Sequence, residues 1–183
     1  MNQPSIDGHG TALIVIDMQN GVIGDAWRRS ETIANAAMAI GKARDAGVPV
    51  VWVRHSSEQL EPGSPDWQIV DELVPGTTEP IVEKQHGDAF EDTDLQAVLT
   101  KLGVKHLVMC GAQTDACVIS SLFGGFVRGY DVTLVGDAHT TDDRSAYGLP
   151  TPAQTIALIN GIWAYRTAPG RHAAVAAADT ISF

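Results

Sequence analysis

Apolar residues fall along this chain in short unbroken runs, each closed by a polar or charged group. Residues 11–18 (TALIVIDM) are apolar up to Asp17, the pattern of a strand covered on both faces. Residues 48–54 (VPVVWVR) predict a second buried strand, with Pro49 near its start where a missing N–H is tolerated. Residues 80–84 (PIVEK), 105–110 (KHLVMC) and 131–136 (DVTLVG) predict three more, and 173–177 a short last one. Between them the apolar spacing turns helical. Ser30 can cap a helix to about residue 46 with Ile33, Ala36, Ala37 and Ile40 on one face. Helices are also expected over 93–102, closed by Gly103, over 116–127 and over 151–164.

The remaining segments read as loops. Residues 19–29 carry Gly21 and Gly24, and residues 140–150 and 166–172 are irregular. The longest, 55–76, carries Pro62, Gly63, Pro65 and Pro75, with a short helix expected over 66–73. Loops of that length in a compact domain are usually functional. Strand and helix alternate without repeats or linkers. The pattern predicts one domain over residues 1–183, a three-layer α/β fold on a mainly parallel sheet of about six strands.

Composition narrows the partners. A chain of 183 residues can bury a proper core. Its net charge of -10 argues against nucleic acid and anionic membrane as partners. No apolar run reaches transmembrane length, and residues 1–10 show no secretory signal pattern. The two cysteines, Cys110 and Cys117, are too few for a disulfide framework, so a cytoplasmic location is expected.

In parallel α/β sheets ligands bind beyond the carboxyl ends of the strands. That rule selects Asp17 and Gln19, Arg54 and His55, Lys84 and His86, residues 111–117, and Asp137 and His139. Three of these could do chemistry together: Asp17, Lys84 and Cys117. Thr114 and Asp115 can cap the helix that carries Cys117 in its first turn, where the dipole favours thiolate, the nucleophilic form. The plainer fate of a free cysteine is a small buried hydrophobe, the reading taken for Cys110. Asp17, closing an apolar strand, is partly desolvated, which raises its pKa and suits it to exchange protons near neutrality. Lys84 reads either as a solvated strand end or as the ammonium that stabilises both acids.

These residues resemble the isochorismatase-like cysteine hydrolases. The resemblance rests on Ile16-Asp17-Met18-Gln19-Asn20, on Glu83-Lys84 followed by Ala89-Phe90, on the run from Gly111 to Val118 (GAQTDACV), on Gly129-Tyr130-Asp131-Val132 and on Asp137-Ala138. It implies a Rossmann-like sheet flanked by helices, a catalytic triad of Asp17, Lys84 and Cys117, and a homodimer or higher homo-oligomer. It further implies a cis peptide before Gln113, with the backbone N–H groups of Gln113 and Cys117 as the oxyanion hole.

The implied chemistry is acyl transfer on a small amide, ureide or carbamoyl compound, with no cofactor. Gln19, Arg54, His55, His86 and Ala112 are the candidate substrate contacts, and Trp27, Trp52, Trp67, Phe123 and Tyr147 the candidate pocket walls. No metal is expected. The zinc-binding members carry Asp-x-His, whereas Val53-Arg54-His55 has no carboxylate two residues before the histidine, and a site would need His86 or His139 to converge. Two departures from the family pattern, Asp88-Ala89-Phe90 after the lysine and Val22 or Ile23 after the first motif, make substrate transfer from a named relative unsafe. An isochorismatase-type vinyl ether hydrolase is the alternative enzyme, but its chemistry has no use for Cys117. A non-catalytic binding protein would be marked by loss of a triad member, and all three are present.

Overall fold

In the computed structural model, which describes residues 10–183, β1 (Thr11–Ile16) and β4 (His106–Ala112) lie side by side at the centre of a seven-stranded sheet. β2 (Val50–His55) and β3 (Ile81–Lys84) follow on one side. β5 (Asp131–Thr140), β7 (Arg171–Ala176) and β6 (Thr167–Ala168) follow on the other. All pairings are parallel except β6 with β7. The expected six strands are present. The seventh, β6, is a two-residue antiparallel edge inside the segment expected to be a loop, too short to leave a periodic signal.

Both faces of the sheet are covered, which is why its central strands are apolar throughout. On one face Leu13, Val15, Val50, Trp52, Val108 and Cys110 pack against α2 (Arg29–Asp45) through Ile33, Ala36, Ala39 and Ile40. The expected apolar face named Ala37, which is exposed; Ala39 takes its place. On the other face Ile14, Ile16, Val51, Leu107 and Met109 pack against α3 (Leu95–Lys101), α4 (Ile119–Val127) and α5 (Pro152–Ala164). α5 starts with a full capping box between Thr151 and Gln154. No helix among the described residues is long and apolar enough to cross a membrane.

Two loops differ from expectation. Residues 20–23 form a single helical turn, α1 (Asn20–Ile23). Residues 66–73 are not a helix. Gln19 bridges Ile69, and Asn20 N–H and Gly21 N–H donate to the Gln68 and Asp66 carbonyls at 2.9 and 2.8 Å. The long loop is therefore laced to the segment after β1, and these pairings replace the bonds a helix would have made. Gly21 allows the approach, since a Cβ there would lie 2.9 Å from both Asp66 Cβ and Leu60 Cδ1.

Candidate active site

The chain leaves β1 and β4 at the point where the strand order reverses, the place such sheets offer a crevice. Ile16 and Gly111 are register partners there. Gly111 has φ +128°, and a Cβ would stand 2.0 Å from the Ile16 carbonyl oxygen, so only glycine lets the two strand ends close up. Asp17 follows with φ +49°, a left-handed conformation that aspartate tolerates better than most residues. Lys84 ends β3 on its buried side, since the strand alternates Ile81 out, Val82 in, Glu83 out, Lys84 in.

The Ala112–Gln113 peptide is cis, the geometry the family resemblance implied. The Gln113 carbonyl accepts from the Ala116 and Val118 amides, both at 3.1 Å. The second bond closes a π-helical turn over Thr114–Val118, and α4 begins only at Ile119. Cys117 thus sits in a widened turn rather than in the first turn of an α-helix. Single π-turns are frequent at functional sites. Thr114 and Asp115 do not cap it. Thr114 Oγ1 instead meets His139 Nδ1 at 2.8 Å, and Asp115 pairs with Thr141 and Arg144.

Asp17, Lys84 and Cys117 converge. Lys84 Nζ lies 2.6 Å from Asp17 Oδ2 and 3.2 Å from Cys117 Sγ. It also contacts His55 Nδ1 and the His86 carbonyl oxygen, each at 3.1 Å. Asp17 is fully buried, and the Lys84 ammonium, the Cys117 thiol and the His55 amide are the groups that face its carboxylate, Lys84 the strongest of them. Burial raises the Asp17 pKa, and the lysine only partly offsets it. Burial, and then the Asp17 charge, push the Cys117 thiol up to about 11. The expectation that helix position favours thiolate is thus corrected. The turn is not an α-helix start, a carboxylate stands beside the sulfur, and the resting form is the thiol. His55 is held down to about 4 by burial and by the neighbouring Lys84 ammonium. A neutral imidazole that accepts from Lys84 at Nδ1 carries its proton on Nε2.

A cavity of about 290 Å³ opens beside the sulfur, lined among others by Asp17, Val22, His55, Gln59, Asp66 and Cys117. Of the expected substrate contacts only His55 reaches it. Gln19 is fully buried, its Nε2 donating to the His55 and Trp67 carbonyls and its Oε1 accepting from the His55 amide. Arg54 faces the other side of β2, stacked 3.3 Å from the Trp67 ring centroid and paired with Glu83. His86 contributes its carbonyl while its side chain is exposed. Ala112 lies in the core, and Ala116 lines the cavity instead.

The expected aromatic walls are elsewhere. Trp52, on β2, packs under α2, Phe123 packs against the core of the opposite face, Trp27 and Trp67 lie under arginines, and Tyr147 is solvent-exposed. The residues that were not anticipated come from the long loop, namely Ser57, Gln59, Leu60 and Asp66. Its length marked it as functional, but no pattern within it singled out these four. Arg144, which donates to the Gln113 side-chain oxygen and pairs with Asp115, was not anticipated either.

Residues 11–148 match the model of the isochorismatase domain. The chain belongs to the isochorismatase family. It is 33% identical over 145 residues to streptothricin hydrolase of Streptomyces noursei, covering 74% of this chain and 56% of that protein. It is 29% identical over 170 residues to ureidoacrylate amidohydrolase RutB of Enterobacter sp. (strain 638), covering 70% of this chain and 74% of that protein. The crystal structure of an isochorismatase from Pseudomonas putida KT2440 superposes with a TM-score of 0.87 at 28% identity, covering 98% of this chain and 94% of that one.

Asp17, His55 and Cys117 offer donor atoms within 4.8 Å of one another. Lys84 Nζ stands 2.6, 3.1 and 3.2 Å from these same three groups. The ammonium already occupies a cation's place among them, and a second cation there would be repelled at close range. His139, bonded to Thr114 and Asn160 behind the turn, does not join the set. The residues do not fit a metal.

Proposed function

We propose that this chain is a cysteine amidohydrolase that cleaves a C–N bond of a small amide, ureide or carbamoyl compound without a metal. Membership in the isochorismatase family and relatives named as hydrolases support the reaction class. The observation that carries the reading is the Lys84 ammonium set 2.6 Å from Asp17 and 3.2 Å from Cys117 Sγ at the edge of a small cavity.

In this reading Asp17 takes the Cys117 proton as the sulfur attacks the substrate carbonyl carbon. A thiol held up near 11 needs such a base, and a carboxyl raised by burial is a stronger base than one in water. Lys84 keeps the pair of acids at a single negative charge to one positive. The carbonyl oxygen becomes an oxyanion held by the Gln113 and Cys117 amides, each such donor being worth about 10²–10³ in rate. As the C–N bond breaks, Asp17 returns the proton to the leaving nitrogen, which departs as ammonia or an amine. Asp17 then deprotonates a water that attacks the thioester, and the thiol leaves as the carboxylic or carbamic acid forms. His55 lines the cavity, and with Nδ1 accepting from Lys84 it would offer an Nε2–H to a substrate oxygen.

The test pairs two measurements on one sample. Iodoacetamide should alkylate Cys117 and not the buried Cys110, whose thiol burial pushes up to about 12, and ammonia release from a panel of small amides should stop in step with that alkylation. Alkylated protein that still releases ammonia at the full rate would sink the proposal.

A further inference from the structure

Of the Asp, Glu, Lys and Arg residues that line the cavity, Asp17 is paired with Lys84 and Asp66 is not paired among the described residues. Glu58 sits between the lining residues Ser57 and Gln59. Residues 56–83, which supply four of the lining residues, contain seven Asp and Glu and no Lys or Arg. Glu72, Glu79 and Glu83 of that segment are paired with Arg29, Arg44 and Arg54. Glu58, Glu61 and Asp66 have no ion pair among the described residues.

Asp66 is exposed, but its backbone is held in place. Its carbonyl accepts from Gly21 N–H at 2.8 Å, and the neighbouring Ser57 and Leu60 amides and carbonyls bond each other at 3.1 and 3.2 Å. The cations near the cavity are committed elsewhere. Lys84 belongs to Asp17, and Arg144, beside Gln113, lies 3.6 Å from both Asp115 and Asp142. Nothing basic among the lining residues is free to receive an anion.

Resting on the amidohydrolase reading, we infer that the cavity selects substrates bearing a positive charge remote from the scissile amide, held at the Asp66 carboxylate, and rejects those bearing a carboxylate. An ammonium at Asp66 meets an opposite charge with no ion pair among the described residues, carried on a backbone that the loop holds, and the net charge of -10 adds to its attraction. A carboxylate meets the same field with the sign reversed, with no lining cation to compensate. Asp66 would thus be a specificity-determining residue, apart from the bond-breaking chemistry.

The experiment uses three amides with the same acyl chain, ending in an ammonium, a hydroxyl or a carboxylate. Two readouts are taken for each: kcat/KM for ammonia release, and protection of Cys117 from iodoacetamide. Both should rank ammonium above hydroxyl above carboxylate, by about 3- to 10-fold per step at low salt and less at high salt. Asp66→Asn should collapse the ammonium-to-hydroxyl ratio, and Asp66→Lys should turn the preference toward the carboxylate. A carboxylate that equals or beats the hydroxyl compound, a ranking unchanged in both variants, or no protection by any compound overturns the inference. Protection in the expected order without any turnover would instead overturn the amidohydrolase reading and leave the charge selection standing.

Discussion

Lys84 Nζ and Asp17 Oδ2 stand 2.6 Å apart with their side chains 0% and 1% exposed. Neither charge has access to water, so each depends on the other. Removing one partner of a buried pair costs about 3–5 kcal/mol because the other is left uncompensated. Lys84→Met should therefore lower unfolding stability by about that much at pH 8, and turnover by at least about 100-fold. Burial already raises the Asp17 pKa, and losing the lysine raises it further. A raised carboxyl destabilises the fold as the pH climbs through its folded value, so the stability deficit should shrink at pH 5. Urea unfolding at the two pH values reads this directly.

Asp17 has opposite effects on the two properties of Cys117. In the proposed mechanism it enables turnover as a base; as a nearby negative charge it raises the thiol pKa. Asp17→Asn should abolish amide hydrolysis while moving the pH midpoint of Cys117 alkylation below about 11, because Lys84 then acts on the thiol alone. The pH dependence of iodoacetamide labelling, followed on the Cys117 peptide, checks it.

His55 binds fewer protons folded than unfolded between its ordinary 6.5 and about 4. Its contribution to stability is therefore full above pH 6.5 and is lost as the pH falls through that window. His106 and His139, also lowered by burial, act in the same direction. Replacing His55 with Gln should flatten part of the decline in thermal stability between pH 7 and 4.5 without removing the rest. Melting curves of the two proteins across that range give the comparison.

Arg144 ties the loop after β5 to the turn before Cys117 through the Gln113 side chain and Asp115. The pairing is half exposed, so Arg144→Ala should cost no more than about 1 kcal/mol of stability. Loosening the turn that would supply the oxyanion donors should lower kcat/KM about 10-fold through kcat. Equal losses in kcat and in melting temperature would mark Arg144 as merely structural.

The sheet was legible because Ile14, Val51 and Met109 belong to runs that make sense only when covered on both faces. The convergence of Asp17, Lys84 and Cys117 was legible from their places after three strands of one parallel sheet, and from the family resemblance. What single residues do at a strand end was less so. Arg54 and His55 are neighbours in sequence, but strand alternation sends one onto Trp67 and the other to Lys84. Gln19 has the look of a substrate contact, yet its amide is consumed by three backbone bonds to the long loop and β2. The state of the Cys117 thiol depends on burial and on Asp17, neither of which the local sequence around the cysteine contains.

In the proposed mechanism Cys117 carries the acyl group between the two halves of the reaction. Rapid quenching during turnover of a small amide, followed by mass analysis of the Cys117 peptide, tests it most directly. The peptide should gain the mass of the acyl fragment, the adduct should disappear as substrate is exhausted, and Cys117→Ala should show neither adduct nor ammonia release. Sustained hydrolysis by Cys117→Ala would contradict that role for Cys117.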